Sequence, residues 1–131
     1  LPDRVQVGAG GTLSVRASQD GHFHIEADVN GVPVGFMVDT GASDIVLSPR
    51  DAQRAGFPVE TLNYSRTYRT ANGMVSGAPV MIDTLAVGAV TLRHVPASVN
   101  GAAMDESLLG RRFLNRLKGY SVDGDTLTLV P

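Results

Sequence analysis

The residues best suited to chemistry lie in Gly35-Phe36-Met37-Val38-Asp39-Thr40-Gly41-Ala42-Ser43, where an apolar run ends in a carboxylate followed at once by Thr and Gly. Setting an acid against such a run is costly unless something compensates for its lost hydration. As a bare tripeptide, Asp-Thr-Gly is equally an Asx turn. The context favours more than a turn: VGFMV runs directly into Asp39 and DIVLS resumes an apolar strand after it. That places the acid between two core strands rather than at a loop tip. A carboxylate so held can act as general acid or base on water.

Other settings are weaker. His22 and His24 share one strand face, but no carboxylate or third histidine stands at ligand spacing, and adding His94 does not complete a metal site. They read as exposed or satisfied strand histidines, and no metal or cofactor is expected. The serines, Ser43 included, lack a Gly-x-Ser-x-Gly setting. Arg66 and Arg69 in SRTYR read as a solvated strand face, and Asp105-Glu106 as a loop before SLLG. Asn63-Tyr64-Ser65 has the form of a glycosylation sequon.

The elements around Asp39 are mostly strands. Fifteen Gly and seven Pro punctuate short apolar runs, and Asn30-Gly31 and Asn72-Gly73 each sit between two of them. Asn-Gly accepts the positive φ angles of a tight hairpin turn. Further turns are expected near Gly88 and at Asp123-Gly124. Two segments depart from this pattern. SPRDAQRAGF has Ser48 as N-cap, Pro49 at the first helical position, Asp51 in the first turn and Gly56 as a stop. GRRFLNRLKG sets Phe113, Leu114 and Leu117 on one helical face before Gly119. Both predict helices of about two turns, in an otherwise all-β domain.

Composition bounds the function. The 131 residues suit one domain, and 43% hydrophobic against 18% charged residues suits a folded core. A net charge of -2, no Trp and no basic cluster argue against a nucleic-acid partner. Without Cys there is no disulfide or thiolate chemistry. No apolar run approaches the ~20 residues that span a bilayer, and no signal-peptide pattern is present. The first residue is Leu1 rather than Met, which suggests a processed fragment whose targeting or anchoring segment would lie upstream.

VDTGAS resembles the signature of aspartic proteases, and a single copy in a short chain resembles the retropepsin branch. Leu108-Leu109-Gly110-Arg111, followed by RFLNRL and the strand DTLTLV, resembles that family's second motif, final helix and closing strand. YRTANGMVSG lies between the two motifs, where the family has its flap, and the order holds from His22 to Val130. TANG and LLGRRFLNRL look most like the single-domain bacterial members, which are commonly membrane-anchored and face the periplasm.

The resemblance implies a retropepsin-like closed β-barrel or sandwich of hairpins over residues 22–131. Residues 1–21 would be an extension, serving as tether or interface segment. It implies an aspartic endopeptidase acting on polypeptides, with Asp39 catalytic and one copy coming from each of two subunits. Thr40 and Gly41 would support the catalytic loop: the Thr hydroxyl bonds across the dimer axis, and the Gly lets substrate backbone approach. Ala42 and Ser43, with the flap-tip residues Ala71, Asn72 and Gly73, would bind substrate. Retroviral members often carry Asp at the position of Ser43, paired with the Arg after the second motif. Here Arg111 needs another partner, and Asp44 is the nearest candidate. The alternatives are a protease-like fold used only to bind peptides or to dimerise, and an enzyme dormant as a monomer.

Overall fold

The computed structural model describes residues 4–70 and 73–131. In chain order these form β1 (Val5–Val7), β2 (Leu13–Arg16), β3 (Phe23–Val29), β4 (Val32–Val38), β5 (Ile45–Leu47), α1 (Pro49–Arg54), β6 (Arg66–Thr70), β7 (Gly73–Val87), β8 (Val90–Asn100), β9 (Ser107–Leu109), α2 (Arg111–Leu114), β10 (Gly119–Asp123) and β11 (Thr126–Val130). The fold is all-β, as the turn pattern implies.

Alternation sets the inner face. In β4, Val34, Phe36 and Val38 are buried while Gly35 is exposed, so period-two patterning delivers Asp39 to the end of a core strand. Asn30 and Gly31 form the tight turn before β4, with φ of 51° and 83°. The Asn30 side chain does a second job. Its amide oxygen accepts from the backbone N–H groups of Asp83 (2.9 Å) and Thr84 (3.1 Å) on β7. Beside that turn, Asp28 and Val29 pair with Ala86 and Leu85, so β3 and β7 close the order β3-β4-β9-β5-β8-β7 on itself. Strand β6 hangs outside this ring as the partner of the far end of β7. The Asn72 half of the Asn72-Gly73 turn lies outside the described residues.

A second sheet, in the order β1-β2-β11-β10, packs its central pair against the ring. Leu13, Val15, Leu127 and Leu129 are nearly fully buried and join Phe36, Ile45, Leu85, Leu109 and Phe113 in one core. Burial of each such side chain contributes about 1.5–3 kcal/mol before entropy is counted. Residues of the N-terminal segment thus supply two strands to the sheet that contains β11.

Helix α1 matches its sequence signals: Ser48 Oγ accepts from the Asp51 N–H at 3.0 Å, and Pro49 opens the helix. Helix α2 is a single four-residue turn rather than two. Its chain is drawn away at once, because the Lys118 N–H donates to Val130 O on β11. Phe113 and Leu114 are buried as expected, and Leu117 packs against the core from its edge.

Candidate active site

Asp39 leaves β4 into a loop clamped against the start of α2. Strand β9 lies between β4, to which it is parallel, and β5, to which it is antiparallel, so Leu109 pairs with both Val38 and Ile45. The Asp39 N–H donates to Leu109 O (2.9 Å). From the other side, the N–H groups of Gly110, Arg111 and Arg112 donate to the carbonyls of Asp44 (3.0 Å), Ala42 (2.8 Å) and Ser43 (2.9 Å). Only glycine fits at residue 110. A Cβ there would lie 2.5 Å from the Ala42 carbonyl oxygen and closer still to that of Asp44. The two sequence motifs are therefore two halves of one interlocked backbone unit.

On that unit Asp39 is partly buried. Its Oδ1 accepts from the Gly41 N–H at 2.9 Å, which is the carboxylate's one hydrogen bond among the described residues. Thr40 is exposed, and its hydroxyl has no hydrogen bond among the described residues. The floor thus presents a held but largely unengaged carboxylate beside a free hydroxyl. Gly41, Ala42 and Ser43 line a cleft of about 510 Å³ whose other walls include Tyr68, Val75 and Leu108. Gly73 opens β7 at φ 113° and is not part of that lining. Ala71 and Asn72 lie outside the described residues.

Residues 25–116 match the family described as "gag-polyprotein putative aspartyl protease". The chain belongs to the retropepsin-like aspartic protease family. It is 44% identical over 119 residues to an uncharacterised protein of Rickettsia prowazekii, covering 91% of this chain and 51% of that protein. It is 40% identical over 111 residues to an uncharacterised protein of a Sinorhizobium species, covering 84% and 48%. The chain therefore spans about half the length of these curated relatives. A crystal structure of a retropepsin-like aspartic protease from Rickettsia conorii superposes with a TM-score of 0.82 at 38% identity, covering 95% of this chain and 92% of that one. The EIAV protease in complex with an inhibitor shares the fold at a TM-score of 0.62 and 19% identity, covering 83% and 100%.

Within this retropepsin-like frame, the expected pairing of Arg111 with Asp44 is not formed. Arg111 instead donates to the carbonyls of Thr40 (3.2 Å) and Gly41 (3.1 Å), capping the loop after Asp39 directly. Asp44 is taken by its neighbour: Arg112 Nε donates to Oδ1 at 2.8 Å. A helical turn separates the directions of adjacent side chains by about 100°, so sequence proximity could not tell Arg111 from Arg112. Asp44 is buried and also accepts from the Ile45 N–H (2.8 Å) and from Ser98 Oγ (3.0 Å). Arg66 Nη1 stands 3.7 Å from Oδ2. Arg66 and Arg69 are exposed, as a solvated strand face would be, but the Arg66 guanidinium reaches toward Asp44 and Tyr68 is half-buried. Tyr68 and Arg112 lay inside motifs without being given a role of their own, Ser98 lay in none, and only tertiary placement brings them to the site.

His24 is a satisfied strand histidine, one of the two outcomes expected, although the carboxylates that satisfy it were not foreseen. Its Nδ1 lies 2.7 Å from Glu106 and its Nε2 2.9 Å from Asp20. Burial pushes the imidazole down, but hydrogen bonds to Glu106 and Asp20 outweigh it and hold His24 above the usual histidine value. The His22 N–H and then the His24 ring hold Asp20 below the usual carboxylate range. The spacing of Asp20 to His24 was a readable signal; Glu106, far along the chain, was not. This clip ties the approach to β3 to the segment that leads into β9 and the second motif.

Proposed function

We propose that this chain is an aspartic endopeptidase, active as a homodimer in which each subunit supplies one Asp39. The observation that carries the reading is a single, largely unengaged carboxylate on a rigid interlocked loop. In aspartic proteases generally, two such carboxylates lie side by side and share one proton, because like charges at that separation cannot both ionise. The ionised partner takes a proton from a water that attacks the scissile carbonyl, while the protonated partner polarises the carbonyl oxygen. One Asp39 is half of that apparatus, so a second copy about a two-fold axis completes it. The unpaired Thr40 hydroxyl beside it is available to bond across such an axis.

The open edge of β10 supports association as well. Val122 is 52% exposed and Tyr120 36% exposed on the same sheet face as buried Leu127 and Leu129. Substrate would lie extended in the cleft as an added strand, between the β6–β7 hairpin and the floor formed by residues 41–44. The bacterial resemblance further supports work at the periplasmic face of a membrane, through an anchor outside this stretch.

A peptide-library digest read by mass spectrometry, with wild type and Asp39→Asn side by side, tests the reading. Cleavage by wild type alone is the expected result. Equal cleavage by both would place the chemistry elsewhere, and silence from both would favour the peptide-binding alternative. Sedimentation velocity over a concentration series tests the dimer. A species that stays monomeric throughout yet cleaves peptides would sink the shared dyad.

A further inference from the structure

The β6–β7 hairpin forms one wall of the cleft, yet among the described residues strand pairing ties it to the barrel through β7 and β8 alone. A polar chain supplies a second attachment. Ser98 Oγ donates to Asp44 Oδ2 at 3.0 Å and has no second hydrogen to give, so the Tyr68 hydroxyl, which contacts the same Oγ, must be the donor to it. The sequence of donors is then Tyr68 O–H to Ser98 O–H to the Asp44 carboxylate, each bond polarising the next.

The path is built into the backbone. Tyr68 pairs with Val75 on β7, and its ring lies back across β7 over Gly77, where a Cβ would collide with the ring edge. That lets the phenol cross one strand and reach Ser98 on β8, a fully buried residue that pairs with Val46 on β5. Arg66, on the same face of β6 as Tyr68, brings its guanidinium to 3.7 Å from the same carboxylate. The second strand of the hairpin is held too, by the Gly101 N–H donating to Ser76 O at 2.8 Å.

We propose that Tyr68, Ser98 and Asp44 are positioning residues that latch the base of the β6–β7 hairpin to the catalytic loop and so fix the height of the substrate cleft. The assignment rests on the reading of the chain as an aspartic endopeptidase. None of the three touches the reacting atoms. Asp44 lies five positions after Asp39 on the same loop, so the latch refers the roof of the cleft to the element that carries the catalytic acid. Substrate held as a strand between roof and floor then meets Asp39 at a set depth.

Replacing Asp44 risks unfolding, so the test uses Tyr68→Phe, Ser98→Ala and the double variant. Hydrogen exchange by mass spectrometry is read together with KM and kcat on one peptide. Loss of one link should speed exchange over residues 66–70 and 73–77 by about five- to tenfold, leave β3 and β4 unchanged, and raise KM by a similar factor with kcat within about twofold. The double variant should be no worse than either single one, because both break the same chain. Unchanged exchange in the hairpin, uniform acceleration across the barrel, or additive effects would overturn the latch. If wild type cleaves nothing, the proposed activity fails while hairpin exchange still decides the latch. If wild type cleaves but the hairpin does not respond, the activity stands and the latch falls.

Discussion

Asp39 and Asp44 stand on one loop and meet opposite fates. Asp39 is partly buried and, among the described residues, holds a single hydrogen bond, from the Gly41 N–H. Asp44 is buried and accepts from Ile45, Arg112 and Ser98, with Arg66 close by. A buried carboxylate is tolerated when its lone pairs are filled, and Asp44 meets that condition from within its own chain. Asp39 leaves most of its lone pairs unfilled among the described residues. The difference separates an acid held by its own fold from one that fold leaves largely unengaged, the contrast on which the proposed role of Asp39 rests.

Four substitutions would break or sharpen this contrast. The largest effect on activity is expected from Asp39→Asn, which should cut peptide cleavage by more than about a hundredfold while leaving the urea unfolding midpoint nearly unchanged. A large loss of stability in that variant would mean that Asp39 is as structural as Asp44. Asp44→Asn should do the reverse, costing about 2–3 kcal/mol in urea unfolding, since Ser98 and Arg112 lose a charged acceptor. The half-exposed Arg112 keeps the figure below that of a fully buried pair. Gly110→Ala, which drives a methyl group into two carbonyl oxygens under both acids, should cost about 1–3 kcal/mol. Full stability there would show that the interlock yields more readily than its close contacts imply.

The smallest effect concerns the His24 clip, where pH sets the sign. His24 is raised in the fold, so its contribution is complete below the ordinary value of 6.5 and fades as pH rises through the raised one. Asp20 is lowered, so its share holds above the ordinary 3.8 and fades as pH falls through the lowered value. The difference in melting temperature between wild type and His24→Gln should accordingly be larger near about pH 5.5 than near about pH 8.5. A difference that grew toward alkaline pH would mean that the neutral ring, not the charged one, makes the clip.

What could be read from the sequence follows the range of the forces involved. The Asn30-Gly31 turn, the Ser48-Pro49-Asp51 helix start and the alternation through Phe36 and Val38 are local, and each predicted its element. Asp39 stood out as a candidate because an acid between two apolar strands is rare and because a second motif lay downstream. The extent of α2 was not legible, since the Lys118 N–H is claimed by Val130 on a strand the local pattern cannot see. Nor were the partners of Asp44. Ser98, Arg66 and Arg112 come from three separate elements, and only closure of the barrel brings them to one carboxylate. The carboxylates that accept from His24 divide in the same way, Asp20 lying within a few residues and Glu106 far along the chain.

The placement of β11 has a bearing on how the molecule is made. It lies in the middle of the smaller sheet, between β10, its neighbour in sequence, and β2 from the other end of the chain, pairing Leu129 with Leu13 and Leu127 with Val15. Contacts so distant in sequence are slow to form, and here they join β2 to a strand synthesised long after it. Strands β3 to β9 and the interlocked loop after Asp39 can assemble earlier, while β1 and β2 wait beside them with an apolar face uncovered. Until residues 126–130 arrive, the nascent chain carries a nearly finished barrel and an open seam, so its exposure to aggregation is set by the timing of synthesis rather than by the stability of the finished fold.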